Sequence, residues 1–154
     1  MREKLILLVE DNPDDVELTL AALARSAPDG EVVVARDGAE AIAYLSASSA
    51  AAAAPAGPGA ARLPAVLVLD LNLPKVSGLD VLRHVRADPR TRLLPVVVLT
   101  TSLEEQDVRS SYEFGANAYV RKPVAYEQFA DVARQIGAFW TGLNVRAPVR
   151  GAAG

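Results

Sequence analysis

The 154-residue chain contains no cysteine, which excludes a disulfide framework, a thiolate metal site and a thiol nucleophile. No hydrophobic stretch approaches the roughly 20 residues needed to cross a bilayer, so no membrane partner is expected. The N-terminus, Met1-Arg2-Glu3-Lys4, leads straight into the short run Leu5 to Val9, without the long apolar region and cleavage site of a signal peptide. Positive charge is scarce: the formal net charge is −3, and no basic recognition helix is visible, so no nucleic acid is expected. The single histidine, His84, lies between Arg83 and Arg86 on a predicted helix and reads as a surface residue. What is present is 51% hydrophobic content, enough for one domain with a core. The expectation is a soluble cytoplasmic domain.

Apolar runs of strand length alternate with segments of helical period. Leu5 to Val9, Glu31 to Ala35, Val66 to Leu69 and Pro95 to Leu99 are continuous rather than alternating, as in parallel strands covered on both faces. Ala118-Tyr119-Val120 is a weaker fifth strand, expected at an edge. Asn12-Pro13-Asp14-Asp15 offers a cap, a proline at the first helical position and two acids at the positive end of the dipole. Asp37 with Glu40, and Ser102 with Glu105, have capping-box spacing. Ser77 suits the cap of a third helix and Gly115 a C-terminal stop. The last helix carries one apolar stripe through Phe129, Val132, Ala133, Ile136, Phe139, Trp140 and Leu143. The order βαβαβαβαβα predicts a doubly wound α/β sandwich. The predicted domain spans 1–143, with an Ala/Gly/Pro-rich insertion read as a surface loop at 46–63, although Ala50 to Ala54 could extend the second helix. A flexible tail follows at 144–154.

In such sheets ligands bind beyond the carboxyl ends of the strands. Glu10 and Asp11 follow the first strand, and Asp70 follows the third. Thr100, Thr101 and Ser102 follow the fourth; Arg121, Lys122 and Pro123 follow the fifth. Neighbouring strands are about 4.8 Å apart, so acids ending strands one and three nearly touch. Two unit charges about 4 Å apart repel by about 4 kcal/mol at an effective dielectric near 20. Such carboxylates need a cation or Lys122 to neutralise them. Oxygen-only ligands favour Mg²⁺, which takes phosphate oxygens into its remaining positions. Asp70, at the centre, is the candidate for an aspartyl-phosphate. Taken singly, Asp11 could serve only to start a helix and Lys122 could be a solvated charge. Their coincidence at one rim argues for a phosphate site.

The segments Leu8 to Asn12, Val68 to Pro74, Val98 to Ser102 and Gly115 to Pro123, in that order, resemble the receiver domain family of two-component signalling. The resemblance runs from Lys4 to about Ile136. It implies a flavodoxin-like (βα)5 fold with a five-stranded parallel sheet of order 2-1-3-4-5. It further implies that Asp70 accepts a phosphoryl group from a sensor histidine kinase. Glu10, Asp11 and Asp70 would hold Mg²⁺ together with the backbone carbonyl of Asn72, and Lys122 would contact the phosphoryl oxygens. Thr100 would move to the phosphate and Tyr119 would swing into the vacated space. Thr101, where the family prefers a smaller residue, would slow access to the phosphorylated site. The Lys122–Pro123 peptide is expected to be cis. Val9 to Val16, Leu71 to Lys75 and the extended aromatic last helix are similar to the single-domain regulators that partner bacterial phytochrome kinases; the long Ala/Gly/Pro insertion departs from most receivers.

The expected protein is thus a stand-alone response regulator: a phosphoacceptor with only self-phosphorylation and self-dephosphorylation chemistry, signalling through its own surface. Trp140 and Leu143 reach past the sheet, so a homodimer is expected. A Mg²⁺-dependent phosphohydrolase would want a second acid two residues after its nucleophile, where Asn72 stands. A nucleotide-binding module would want glycines where Glu10-Asp11-Asn12-Pro13 stands. A phosphorylation-independent adaptor built on the same fold is the alternative, against which the intact acidic set and Lys122 argue.

Overall fold

The computed structural model describes residues 4–51 and 63–148. Strands and helices alternate: β1 (Leu5–Val9), α1 (Pro13–Ser26), β2 (Glu31–Ala35), α2 (Gly38–Ala51), β3 (Val66–Leu69), α3 (Gly78–Ala87), β4 (Val96–Thr100), α4 (Glu105–Glu113), β5 (Ala118–Arg121) and α5 (Tyr126–Ala138). A π-helical turn, Phe139–Leu143, continues α5. The strands form one parallel sheet in the order β2-β1-β3-β4-β5, as expected, with β5 at an edge. Among the described residues no helix is long and apolar enough to cross a membrane.

The uninterrupted apolar strands are explained by two cores. Leu7, Val9, Leu67, Leu69 and Val96 face α2 and α3, packing on Leu45, Val81, Leu82 and Val85. Their neighbours Ile6, Leu8, Val66, Val68, Val97 and Leu99 face α1 and α5, packing on Leu23, Phe129 and Ile136. Successive side chains point to opposite faces, so both must be apolar. Each such large side chain contributes about 1.5–3 kcal/mol on burial.

Helix starts follow local chemistry. Asn12 Oδ1 accepts from the backbone of Asp14 at 2.9 Å and Asp15 at 3.3 Å. Ser77 Oγ accepts from Asp80 N at 3.2 Å. Asp37 Oδ1 accepts from Glu40 N at 2.7 Å, while Glu40 reaches back to Arg36 N. The Ser102–Glu105 capping box does not form. Glu104 is the cap residue of α4 without a side-chain bond. The Ser102 hydroxyl instead donates to Asp107 Oδ2 at 2.6 Å and accepts from Glu104 N, a charge-assisted bond outcompeting the helix end. Gly115, at φ 104°, closes α4 with a Schellman pair: Ala116 N to Ser111 O and Gly115 N to Tyr112 O.

The ends of α2 and of the last helix differ from the sequence reading. α2 continues through Ser46 to Ala51, with the Ser48 hydroxyl satisfied by donating back to the Tyr44 carbonyl; 52–62 and 149–154 lie outside the described residues. The apolar stripe of the last helix breaks at the π-helical turn, which holds more residues per turn than an α-helix. Trp140 still packs on the α1/α5 core, but Phe139 and Leu143 turn outward, 44% and 76% exposed. Away from the strand ends, Arg86 ties three segments together. Its guanidinium donates to the carbonyls of Gly115, Arg92 and Leu94 and to Asn117 Oδ1, at 2.7–3.0 Å.

Candidate functional site

The sheet ladder runs one residue past β1, β3 and β5 and fixes the backbone of the site. Glu10 N donates to Ala35 O at 3.0 Å, Asp70 N to Val9 O at 3.1 Å and Lys122 N to Thr100 O at 2.7 Å. Behind Asp70, Gly78 lets the first turn of α3 press against the strand end. A Cβ there would stand 2.2 Å from Asp70 O and 2.6 Å from Leu71 Cα, so only glycine fits. Gly78 N donates to Leu71 O at 3.0 Å, closing the loop that carries Asn72.

Oxygens of Glu10, Asp11 and Asp70 all lie within 4.8 Å of one another. Glu10 and Asp70 are buried and Asp11 is exposed at the mouth. Into this cluster projects Lys122, whose side chain is 5% exposed. Its ammonium donates to Glu10 Oε1 in a very short contact, to Asp70 Oδ2 at 3.0 Å and to Asp15 Oδ2 at 3.0 Å. Burial pushes the Glu10 carboxyl up to about 7; the Lys122 hydrogen bond opposes this and the Asp70 charge adds to it. Burial alone would lower Lys122, but Glu10 and Asp70 outweigh it and raise the ammonium above the usual lysine range. Several carboxylates share one buried cation, so negative charge is in excess at the rim.

That excess is what a hard divalent cation would neutralise. Octahedral Mg²⁺ with oxygens at about 2.05 Å wants neighbouring oxygens about 2.9 Å apart and opposite ones about 4.1 Å apart. An all-oxygen set within 4.8 Å fits after small side-chain adjustment. Asn72 is placed beside it by its own N–H, which donates to Asp70 Oδ1 at 3.2 Å.

Thr100 is the last residue of β4 and fully buried; its Oγ1 takes a long 3.5 Å contact from Ser102 N. Tyr119, on β5, is half-buried and donates its hydroxyl to the Ser102 carbonyl at 2.8 Å. Thr101 is exposed. Among the described residues no peptide is cis, so Lys122–Pro123 is trans here, contrary to expectation; even before proline, trans is favoured by about 0.5–1 kcal/mol. His84 is half-buried on α3. Sequence reasoning assigned Asp15 only to the start of α1 and missed its bond to Lys122. No local pattern signals that bond, because Lys122 lies 107 residues further along the chain.

The family described as the response regulator receiver domain matches residues 6–134. The chain belongs to that receiver family. Response regulator Rcp1 of Synechocystis sp. is 38% identical over 137 residues, 89% of this chain and 88% of Rcp1. The Mn²⁺-bound form of Rcp1 superposes with a TM-score of 0.81 at 36% identity, covering 94% of this receiver and 99% of that chain. The phosphorylated cyanobacterial phytochrome response regulator RcpA gives 0.83 at 39% identity, covering 96% and 100%. The bacteriophytochrome response regulator AtBRR is 50% identical over 94% of this chain and 100% of its own, with a TM-score of 0.66. This receiver is thus closely related to phytochrome response regulators, and its family is one of phosphoacceptors rather than conventional enzymes.

Proposed function

We propose that this receiver accepts a phosphoryl group on an Asp70 carboxylate oxygen from the phosphohistidine of a sensor kinase, and that the kinase is a bacterial phytochrome. The observation that carries this reading is the buried Lys122 Nζ, 3.0 Å from Asp70 Oδ2 and bonded also to Glu10. Glu10, Asp11, Asp70 and the Asn72 carbonyl would hold Mg²⁺, which when bound supplies positive charge to the transferring phosphoryl oxygens. Lys122 would add a second positive charge to the same oxygens. Thr100, buried with a weakly engaged hydroxyl, is free to turn toward the phosphoryl group, and Tyr119 exchanges its Ser102 bond for the vacated space. Slow self-dephosphorylation at the same site resets the switch. Its relatives include phytochrome response regulators, one of them phosphorylated, and a response regulator with Mn²⁺ bound, and these support the reading.

The output surface is the α4–β5–α5 face, in a cytoplasmic protein without nucleic-acid or membrane partners. Exposed Phe139 and Leu143 beside it support a homodimer; a monomer mass by light scattering at high concentration overturns that part. The test of the whole reading is incubation with a small acyl phosphate, with and without Mg²⁺, read by intact mass on wild type and Asp70→Asn. One Mg²⁺-dependent phosphoryl adduct, absent from the variant, is the expected result. No adduct even with candidate kinases would leave a phosphorylation-independent adaptor.

A further inference from the structure

An ammonium has three N–H donors, and Lys122 directs them at Glu10, Asp70 and Asp15. Glu10 and Asp70 belong to the cation-binding carboxylates. Asp15 belongs to neither the cation set nor the acceptor. It sits on the first turn of α1, where its N–H is held by the Asn12 cap at 3.3 Å. Its carboxylate, 26% exposed, reaches the buried ammonium from the mouth of the site.

We propose that Asp15 is the positioning residue of Lys122: it holds the ammonium at the mouth when Glu10 and Asp70 turn their oxygens to a cation or phosphoryl group. Charge-assisted bonds of this kind are about twice as strong as neutral ones. A buried ammonium stripped of one anionic partner leans on those that remain. Without Asp15, Lys122 rests wholly on Glu10 and Asp70 and competes with the incoming cation for their oxygens. The proposal rests on the phosphoacceptor reading above, and it adds a residue that serves the site only through Lys122.

The test compares Asp15→Ala, Asp15→Asn and Asp14→Asn, each alone and combined with Lys122→Ala. Asp14 is exposed on the same turn and is not a Lys122 partner, so Asp14→Asn removes an equal charge as a control. Mg²⁺ affinity is read by calorimetry on the unphosphorylated protein, and adduct formation with acyl phosphate by mass. Asp15→Ala is expected to weaken Mg²⁺ binding and slow adduct formation by about tenfold relative to Asp14→Asn. Asp15→Asn, which keeps an acceptor oxygen, recovers most of the loss. With Lys122→Ala already present, Asp15→Ala behaves like Asp14→Asn. Equal behaviour of Asp15→Ala and Asp14→Asn in the otherwise native chain overturns the proposal, as does a tenfold effect that persists without Lys122. Should Lys122→Ala fail to fold, the first comparison decides alone. A wild type that forms no adduct sinks the phosphoacceptor reading instead, while the calorimetric comparison still judges Asp15.

Discussion

Glu10 should make this receiver's stability and its proposed affinity for Mg²⁺ respond to pH in opposite directions. Its carboxyl moves from an ordinary 4.5 to about 7 on folding. Because the folded pKa is the higher one, the folded state binds the extra proton between those values. The stabilisation is therefore fully present below about pH 4.5 and lost as pH rises through about 7. At 1.36 kcal/mol per pH unit, the full change is about 3 kcal/mol, undiminished by solvent because the side chain is 4% exposed. Denaturant unfolding of metal-free wild type and Glu10→Gln from pH 4.5 to 8 isolates this contribution, since the other acids are common to both proteins. Wild type should lose about 3 kcal/mol relative to the variant across that range. Mg²⁺ must displace the same proton, so its affinity should be about tenfold weaker at pH 6 than above pH 8, with about 0.9 proton released per ion bound at pH 6. A stability difference independent of pH, together with Mg²⁺ binding that releases no proton, would refute the assignment of burial as the dominant influence on Glu10.

Gly78→Ala should cost about 1–3 kcal/mol in denaturant unfolding, because its Cβ would meet the backbone of Asp70 and Leu71 rather than a yielding side chain. The same variant should form the Asp70 adduct more slowly, measured by mass at a temperature where it remains folded. Arg86→Ala should lower stability by about 2 kcal/mol through its orphaned, partly buried carbonyls, and Arg86→Lys should restore little, lacking the planar fork; thermal unfolding decides both. Tyr119→Phe removes a single hydrogen bond to Ser102, so it should cost no more than about 1.5 kcal/mol while raising amide hydrogen exchange in 101–105.

Most of the fold was legible because its signals are local. β1, β2 and β3 fall on the apolar runs that predicted them, and caps at Asn12, Asp37 and Ser77 form between atoms a few residues apart. β4 shifts by one residue to end on Thr100, since Pro95 has no N–H to give the ladder. Ser102 misled for a different reason: its spacing to Glu105 satisfies a pattern, but its hydroxyl donates to the Asp107 carboxylate, two residues further along α4. In the site, the sequence order of strands was enough to bring Glu10, Asp11, Asp70 and Lys122 to one rim. Asp15 was not legible, because its partner lies 107 residues away and only the packed angle of α1 brings the two together. The π-helical turn was equally hidden, since the helical repeat of apolar residues runs through it unbroken in the sequence.

Arg86 gives the molecule a mechanical asymmetry. It grips the carbonyl of Gly115, just past the C-terminal end of α4, and anchors that point to α3 and to the segment leading into β4. At the other end of α4, Ser102 is bonded by its hydroxyl to Asp107 and by its carbonyl to the Tyr119 hydroxyl. The helix is therefore a lever with its fulcrum at Gly115 and its free arm beside Thr100. Its nine residues span about 13 Å, so a tilt of about 10° displaces the free tip by roughly 2 Å. A change of a single side chain at the strand ends would thereby be magnified at the tip of the helix.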